Sequence, residues 1–247
     1  MRKVIFIVLI VVVAALVAFF CWREILIPDV NYVADYVQDD EGDNNLKIQR
    51  LYAADVDVDK YEKALELITN TTEYSEEEKL AAAIASGEPV FFPTFNIDIY
   101  RLGIDEVRLS GVISYEMAEN QKEERFRMGS ISLEAITQGG IEIDQIETIT
   151  TDSDDADIIK IHTEQQMAID ISKSPSFEII LKGAAGTDLS GSITLQFTYS
   201  VEADIFIPRT VLEEQLLEVS ADISMNAFGN LEVEYIVSEE SNRNDDN

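Results

Sequence analysis

The sequence predicts a mainly β protein: an N-terminal transmembrane helix, two short helices, then an antiparallel β-sandwich-like body of about ten strands outside the membrane. Three observations predict it. Val4 to Trp22 carry no charge. The apolar period then reads 3.6 up to Gly87 and 2 from Pro89 onward. Turn residues separate the alternating segments, as in antiparallel sheets with one wet face.

The uncharged run of nineteen residues would be ~29 Å long as a helix, close to the hydrocarbon thickness. Arg2 and Lys3 precede it, which places residues 1–3 in the cytoplasm as a stub, 4–22 in the membrane and the rest outside it, periplasmic or on the cell surface. A cleavable signal peptide needs a small-residue cleavage site, and Phe19, Phe20 and Trp22 stand there instead. A lipoprotein needs a small residue before the acylated cysteine, and Phe20 precedes Cys21. An uncleaved signal-anchor is the expectation.

Residues 23–50 read as a membrane-proximal stalk. They contain Pro28 and the acidic run QDDEGDNN, where Gly42, Asn44 and Asn45 mark a turn. The extracytoplasmic domain then runs over 51–237, with 51–88 helical and 89–237 β-rich, and 238–247 form an acidic tail without packed structure.

DVDVDKYEKALE, Asp55 to Glu66, has acidic residues at first, third, fifth and twelfth positions, as calcium loops do. Asp55, Asp57, Asp59 and Glu66 are the candidate ligands. Lys60, however, stands where such a loop needs glycine. Tyr61, Ala64, Leu65 and Ile68 form one helical face, and Asp59 with Glu62 makes a capping box. A helix start is the preferred reading. A second box, Ser75 with Glu78, opens another helix that Gly87 and Pro89 end.

The strands follow in order. Ile97 and Ile99 alternate with polar residues, as do Val107 to Tyr115. Phe126 to Leu133 changes face near Gly129, which predicts a bulge. Ile141 and Ile143, Ile159 and Ile161, Met167 to Ile171, and Phe177 to Leu181 come next. Ile193 to Tyr199 alternate most clearly and continue after a kink to Ile207. Val219 to Met225 and Leu231 to Val237 close the series. Thr210 and Glu213 could cap a short helix, VLEEQLLE, and GAAGTDLSG reads as a hairpin loop.

The chemistry-bearing inventory is small. His162, the single histidine, falls on the polar face of its strand, and Cys21, the single cysteine, lies in the anchor. Neither supports a Ser-His-Asp or Cys-His mechanism or a zinc site, and no phosphate-binding loop is present. Asp152, Asp154 and Asp155 in TDSDDAD form a second acidic loop, a weaker calcium candidate beside its reading as a solvated turn. Phe91, Phe92 and Phe95 in PVFFPTF are either core plugs or an apolar binding patch. The formal charge of −30 disfavours nucleic acid and anionic lipid surfaces.

The expectation is a non-enzymatic module without cofactor, save a low-ranking calcium, that binds another envelope protein or scaffolds an assembly. A lipid-binding or lipid-transfer β module and a calcium-dependent binding module are the alternatives. The layout is similar in outline to small envelope proteins whose β body carries lipid and to adhesive ectodomains, a likeness of architecture with little functional weight.

Overall fold

The structure, a computed structural model, describes residues 2–26, 30–40, 44–54, 56, 88–117, 126–149, 158–171, 176–184, 189–203, 209–226 and 228–238. Helix α1 covers Arg2–Leu26. Among the described residues twelve strands follow: β1 (Val30–Asp40), β2 (Asn45–Ala54), β3 (Glu88–Arg101), β4 (Glu106–Met117), β5 (Phe126–Gly139), β6 (Ile141–Ile149), β7 (Ile158–Glu164), β8 (Gln166–Asp170), β9 (Ser176–Gly183), β10 (Ser190–Ala203), β11 (Arg209–Met225) and β12 (Leu231–Ser238). They form a seven-stranded sheet, β1-β2-β3-β4-β9-β6-β7, and a five-stranded sheet, β12-β11-β10-β5-β8. Every pairing is antiparallel.

The period-2 segments become the two inner faces, because alternate side chains of a strand point to opposite sides. Leu46 and Ile48, Phe95 to Ile99, Val107 and Leu109, and Phe177 to Leu181 line the larger sheet. Leu133, Ile193 to Val201 and Leu217 to Ile223 line the smaller, all in one buried cluster. Aromatic rings bridge the sheets. Phe95 lies 5.2 Å from Phe197 and 5.5 Å from Tyr199, and Phe177 lies 5.8 Å from Phe197. Gly111 opposes Phe177 in the ladder, and a Cβ on it would meet the ring at 2.2 Å, so the missing side chain is the ring's seat.

Two chain crossings between the sheets nest side by side. β5 turns into β6 at Gly139 and Gly140, and β9 runs into β10. Gly139 has a φ of +84°, and a Cβ on Gly191 would meet the Gln138 carbonyl oxygen at 2.2 Å. The Gly140 N–H donates to Ser190 O at 2.7 Å, and the Ala184 N–H to Gly140 O at 2.9 Å. GAAGTDLSG is therefore part of a sheet-to-sheet crossing and not a hairpin.

β3 to β12 are the ten strands expected between Pro89 and Val237. The bulge expected at Gly129 exists: β5 and β11 both shift register opposite Ser200. Other expectations need correction. The expected stalk, 23–50, contains β1 and most of β2, and residues 51–54 end β2 rather than open a helical region. The acidic run marks the β1–β2 hairpin, with Asn44 at φ 51°. The helix expected after Thr210 is part of β11, since its residues pair with β10 and the ladder overrides local propensity. The two capped helices and the tail after Ser238 lie outside the described residues.

Side chains of α1 are described over residues 5–21, and they are apolar and mostly half exposed or more, Ile5 at 64% and Val17 at 57%. Among the described residues, no helix is long and apolar enough to cross a membrane.

Candidate functional site

Asp55, Asp57, Asp59, Glu66, Asp152, Asp154 and Asp155 lie outside the described residues. His162 is on β7, with its side chain outside them. Among the described residues, no group of three or more His, Cys, Asp or Glu is placed to hold a metal ion. Two side chains of the apolar stretch Phe91, Phe92 and Phe95 are described. Phe95 is 1% exposed in the core, and Phe92 packs against Val33, Leu51, Ala53 and Val56 on the other face of the β1–β2 hairpin. The side chain of Phe91 is not described.

The feature that sequence reasoning missed is a buried polar network. Leu46, Ile48, Arg50, Tyr52 and Ala54 share one face of β2 by alternation, so Arg50 is carried into the interior with its neighbours. Asp35 opposes it on β1, and Tyr32 opposes Tyr52. The Arg50 Nε donates to Asp35 Oδ1 at 3.0 Å, and both side chains are almost fully enclosed. Its Nη1 donates to Leu216 O at 2.7 Å and to the Tyr199 hydroxyl at 3.2 Å. Because Tyr199 accepts from the guanidinium, its own O–H is available to Tyr52, 2.6 Å away, and the Tyr52 O–H points to Gln215 Oε1 at 3.4 Å. The Tyr32 ring covers the guanidinium at 5.2 Å.

Burial alone would favour neutral Arg50, but Tyr199 and Asp35 outweigh it and hold the cation charged. Burial pushes Tyr52 and Tyr199 above the ordinary phenol range, and Arg50 partly offsets this in both. The ion pair at its centre is enclosed, which suits a latch between sheets better than chemistry on a solvent-borne substrate.

Two accessible features stand at the far end of the strands from Val30. The first is a shallow groove of about 720 Å³ on the outer face of the five-stranded sheet. Gln138, Ser192, Asp222 and Glu234 form one row across four strands, each opposite the next, with Ser224 and Glu232 beside it. Hydroxyls and carboxylates make it an acceptor-rich surface. The second is a pair of hairpin tips. The β3–β4 tip exposes Leu102 at 42% and Ile104 at 84%, and the β11–β12 turn exposes Phe228 at 91%. Arg101 ties them, donating through Nε to Gly103 O at 2.7 Å and through Nη1 to Gly229 O at 3.0 Å.

No family model matches the chain, and no curated protein matches it. Among solved structures, Clostridium perfringens delta-toxin aligns over 83% of this chain and 97% of its own, at 6% identity and a TM-score of 0.23, too low to carry an argument.

Proposed function

We propose that the protein is a membrane-anchored, extracytoplasmic β-sandwich that acts by binding another envelope protein, without catalysis. One pairing of features carries the reading: a helix apolar on every side beside a sandwich whose interior is filled. Apolar surface left in water is unfavourable by roughly 25 cal/mol per Å². The exposed side chains from Ile5 to Val17 therefore favour a lipid environment. Residues 22–26 extend the helix beyond the described side chains, and Arg2 and Lys3 set its orientation. The interior favours binding at a surface over lipid carriage, because Phe95, Phe177, Phe197 and Tyr199 occupy the space between the sheets where an acyl chain would lie.

Native mass spectrometry of the full chain extracted from membranes tests both halves. An intact N-terminus and a protein mass without added lipid are expected. A new N-terminus at or after Ala18 would overturn the anchor. A stoichiometric acyl lipid surviving delipidation would replace protein binding with lipid handling.

A further inference from the structure

Resting on the binding reading above, we propose that the paired tips of the β3–β4 and β11–β12 hairpins are the docking knob of this domain, and that they fit a protein partner with an apolar cleft rimmed by lysine and arginine. Phe228 and Ile104 are the most exposed large apolar residues in the described structure, at 91% and 84%. They stand on neighbouring turns and not on scattered faces, which sets them apart from ordinary surface hydrophobes.

Both turns are held in shape before any partner arrives. In the β11–β12 turn, Asn226 Oδ1 accepts from the N–H groups of Phe228 and Asn230 at 3.0 and 3.1 Å. The Gly229 N–H donates to Asn226 O at 2.8 Å, and Gly229 takes a φ of +79°. A Cβ on Gly229 would meet Arg101 Nη1 at 2.0 Å, so the absence of a side chain lets the guanidinium clasp the turn. In the β3–β4 tip, Leu102 and Gly103 both donate to Glu106 O at 3.0 Å. An aromatic on a pre-shaped turn loses little freedom on docking, which is the condition for a strong anchor.

Charge selects the partner. Asp105, Asp222, Glu232 and Glu234 are exposed around the tips. Two basic side chains at this end are already engaged: Arg101 with backbone carbonyls, and Lys182 with Glu106 at 3.1 Å and Asp144 at 2.9 Å. A chain of net charge −30 repels a second copy of itself and an anionic bilayer alike. A basic rim is attracted, with the Asp222–Glu234 groove next to it as the counter-surface. The tips are also well placed for reach. β3 rises for ~46 Å at about 3.3 Å per residue, from the end where the chain leaves α1 to the tip.

The test places photoreactive benzoylphenylalanine at position 228, at 104 and, as a control, at Val112 on the outer face of the larger sheet, in the full chain in its native membranes. The expected result is one protein captured from both 228 and 104 but not from 112, cross-linked within an apolar segment flanked by lysine or arginine. Purified, that protein should bind the wild type and lose affinity on the order of tenfold or more with Phe228→Ala. The same variant should keep its unfolding midpoint, since Phe228 is not in the core. Adducts with lipid, with a second copy of the chain or with an acidic partner overturn the proposal, as does an affinity unchanged by Phe228→Ala. Capture from 112 alone refutes the tips while leaving the binding reading intact. No protein captured from any exposed face refutes both.

Discussion

Replacing Arg50 with methionine should destabilise the sandwich by roughly 3–5 kcal/mol at neutral pH, the range for a buried ion pair that loses one partner. The structure says why the upper range applies. The Asp35 side chain is only 4% exposed and would remain in place without its cation. The Leu216 carbonyl and the Tyr199 hydroxyl lose a charged donor at 2.7 and 3.2 Å. The Tyr52–Tyr199 hydrogen bond survives, so part of the network stays satisfied. Protonation sets a ceiling. Neutralising a carboxyl of ordinary pKa ~3.9 at pH 7 costs about 4 kcal/mol, and the stranded Asp35 will not exceed that by staying charged. The deficit against wild type should therefore shrink by about 1.4 kcal/mol for each unit of pH lowered toward 5. Replacing both partners, Arg50→Met with Asp35→Leu, should recover most of the loss, because it removes the uncompensated charge as well as the attraction. Urea unfolding of the full chain in detergent, followed by the β-sheet dichroism signal at pH 7 and pH 5, measures all three. A single-variant loss below about 1 kcal/mol, or a double variant no more stable than the single, would refute the account of Arg50 as a latch whose energy sits in the pair.

Gly111→Ala should cost on the order of 1–3 kcal/mol by forcing the Phe177 ring off its seat, where the new methyl would lie 2.2 Å from ring carbon. The same change in a Phe177→Leu background should cost clearly less, and equal costs in the two backgrounds would sink the explanation; thermal melts suffice. Phe197→Ala, which empties the meeting point of the Phe95 and Phe177 rings, should cost roughly 3–5 kcal/mol, and a loss under about 1 kcal/mol would mean that the sheets do not pack through this ring. Alkaline pH should unfold the protein by a defined route. Burial raises Tyr52 and Tyr199 above the ordinary value of 10.0, so the folded state keeps protons that the unfolded state releases. Stability is then fully present below pH ~10 and falls above it, by up to about 1.4 kcal/mol per pH unit for each tyrosine. Ultraviolet titration should show these phenols ionising only as the chain unfolds. Reversible ionisation of all nine tyrosines near pH 10 without unfolding would contradict it.

Most of the sandwich was legible because its inner faces are written in plain alternation. Ile193 to Tyr199 and Val219 to Met225 leave no other period, and Gly129 marks its bulge. β1 and β2 were not legible for a physical reason. β2 is buried on both faces, with Leu46, Ile48 and Tyr52 toward the main core and Leu51 and Ala53 toward the smaller one. Alternation therefore blurs where Arg50 is followed by Leu51, Tyr52, Ala53 and Ala54. An acidic hairpin turn next to it suggested solvent, and only the pairing of Asp35 with Arg50 explains how a cation can lie inside. VLEEQLLE failed differently. Its helical caps are sound locally, but pairing with β10 and a bulge at Glu214, φ 34°, give its backbone a ladder instead. The accessible features had weaker signals still. The groove row joins residues from four strands, which no local pattern announces, and Phe228 reads as an ordinary turn residue until Gly229 is seen under Arg101.

The bulges explain where the latch sits. β5 gains Gly129 and Ser130, and β11 gains Glu213 and Glu214, opposite the single residue Ser200 of β10. Ser200 fills the gap: its Oγ accepts from the Ser130 N–H at 3.1 Å and meets the Ser130 hydroxyl at 3.2 Å. Bulges bend a strand and sharpen its twist. Here they fall beside Tyr199 and within two residues of Leu216, the two groups that the guanidinium reaches across to from the other sheet. Tyr199 faces inward by the alternation of β10 itself. Beside the bend, its hydroxyl and the Leu216 carbonyl meet the buried cation of β2. The level of that cation is fixed by the β1–β2 hairpin, which is separated from the end of α1 by only three residues. The part of the sandwich nearest the helix in sequence is thus tied across the core by charge, while the opposite end keeps its apolar side chains outside. An edge hairpin held only by apolar contacts could slide by a register step. The paired Asp35 and Arg50 would lose each other on such a slip, so the buried charge specifies the register of the hairpin that joins the domain to its helix.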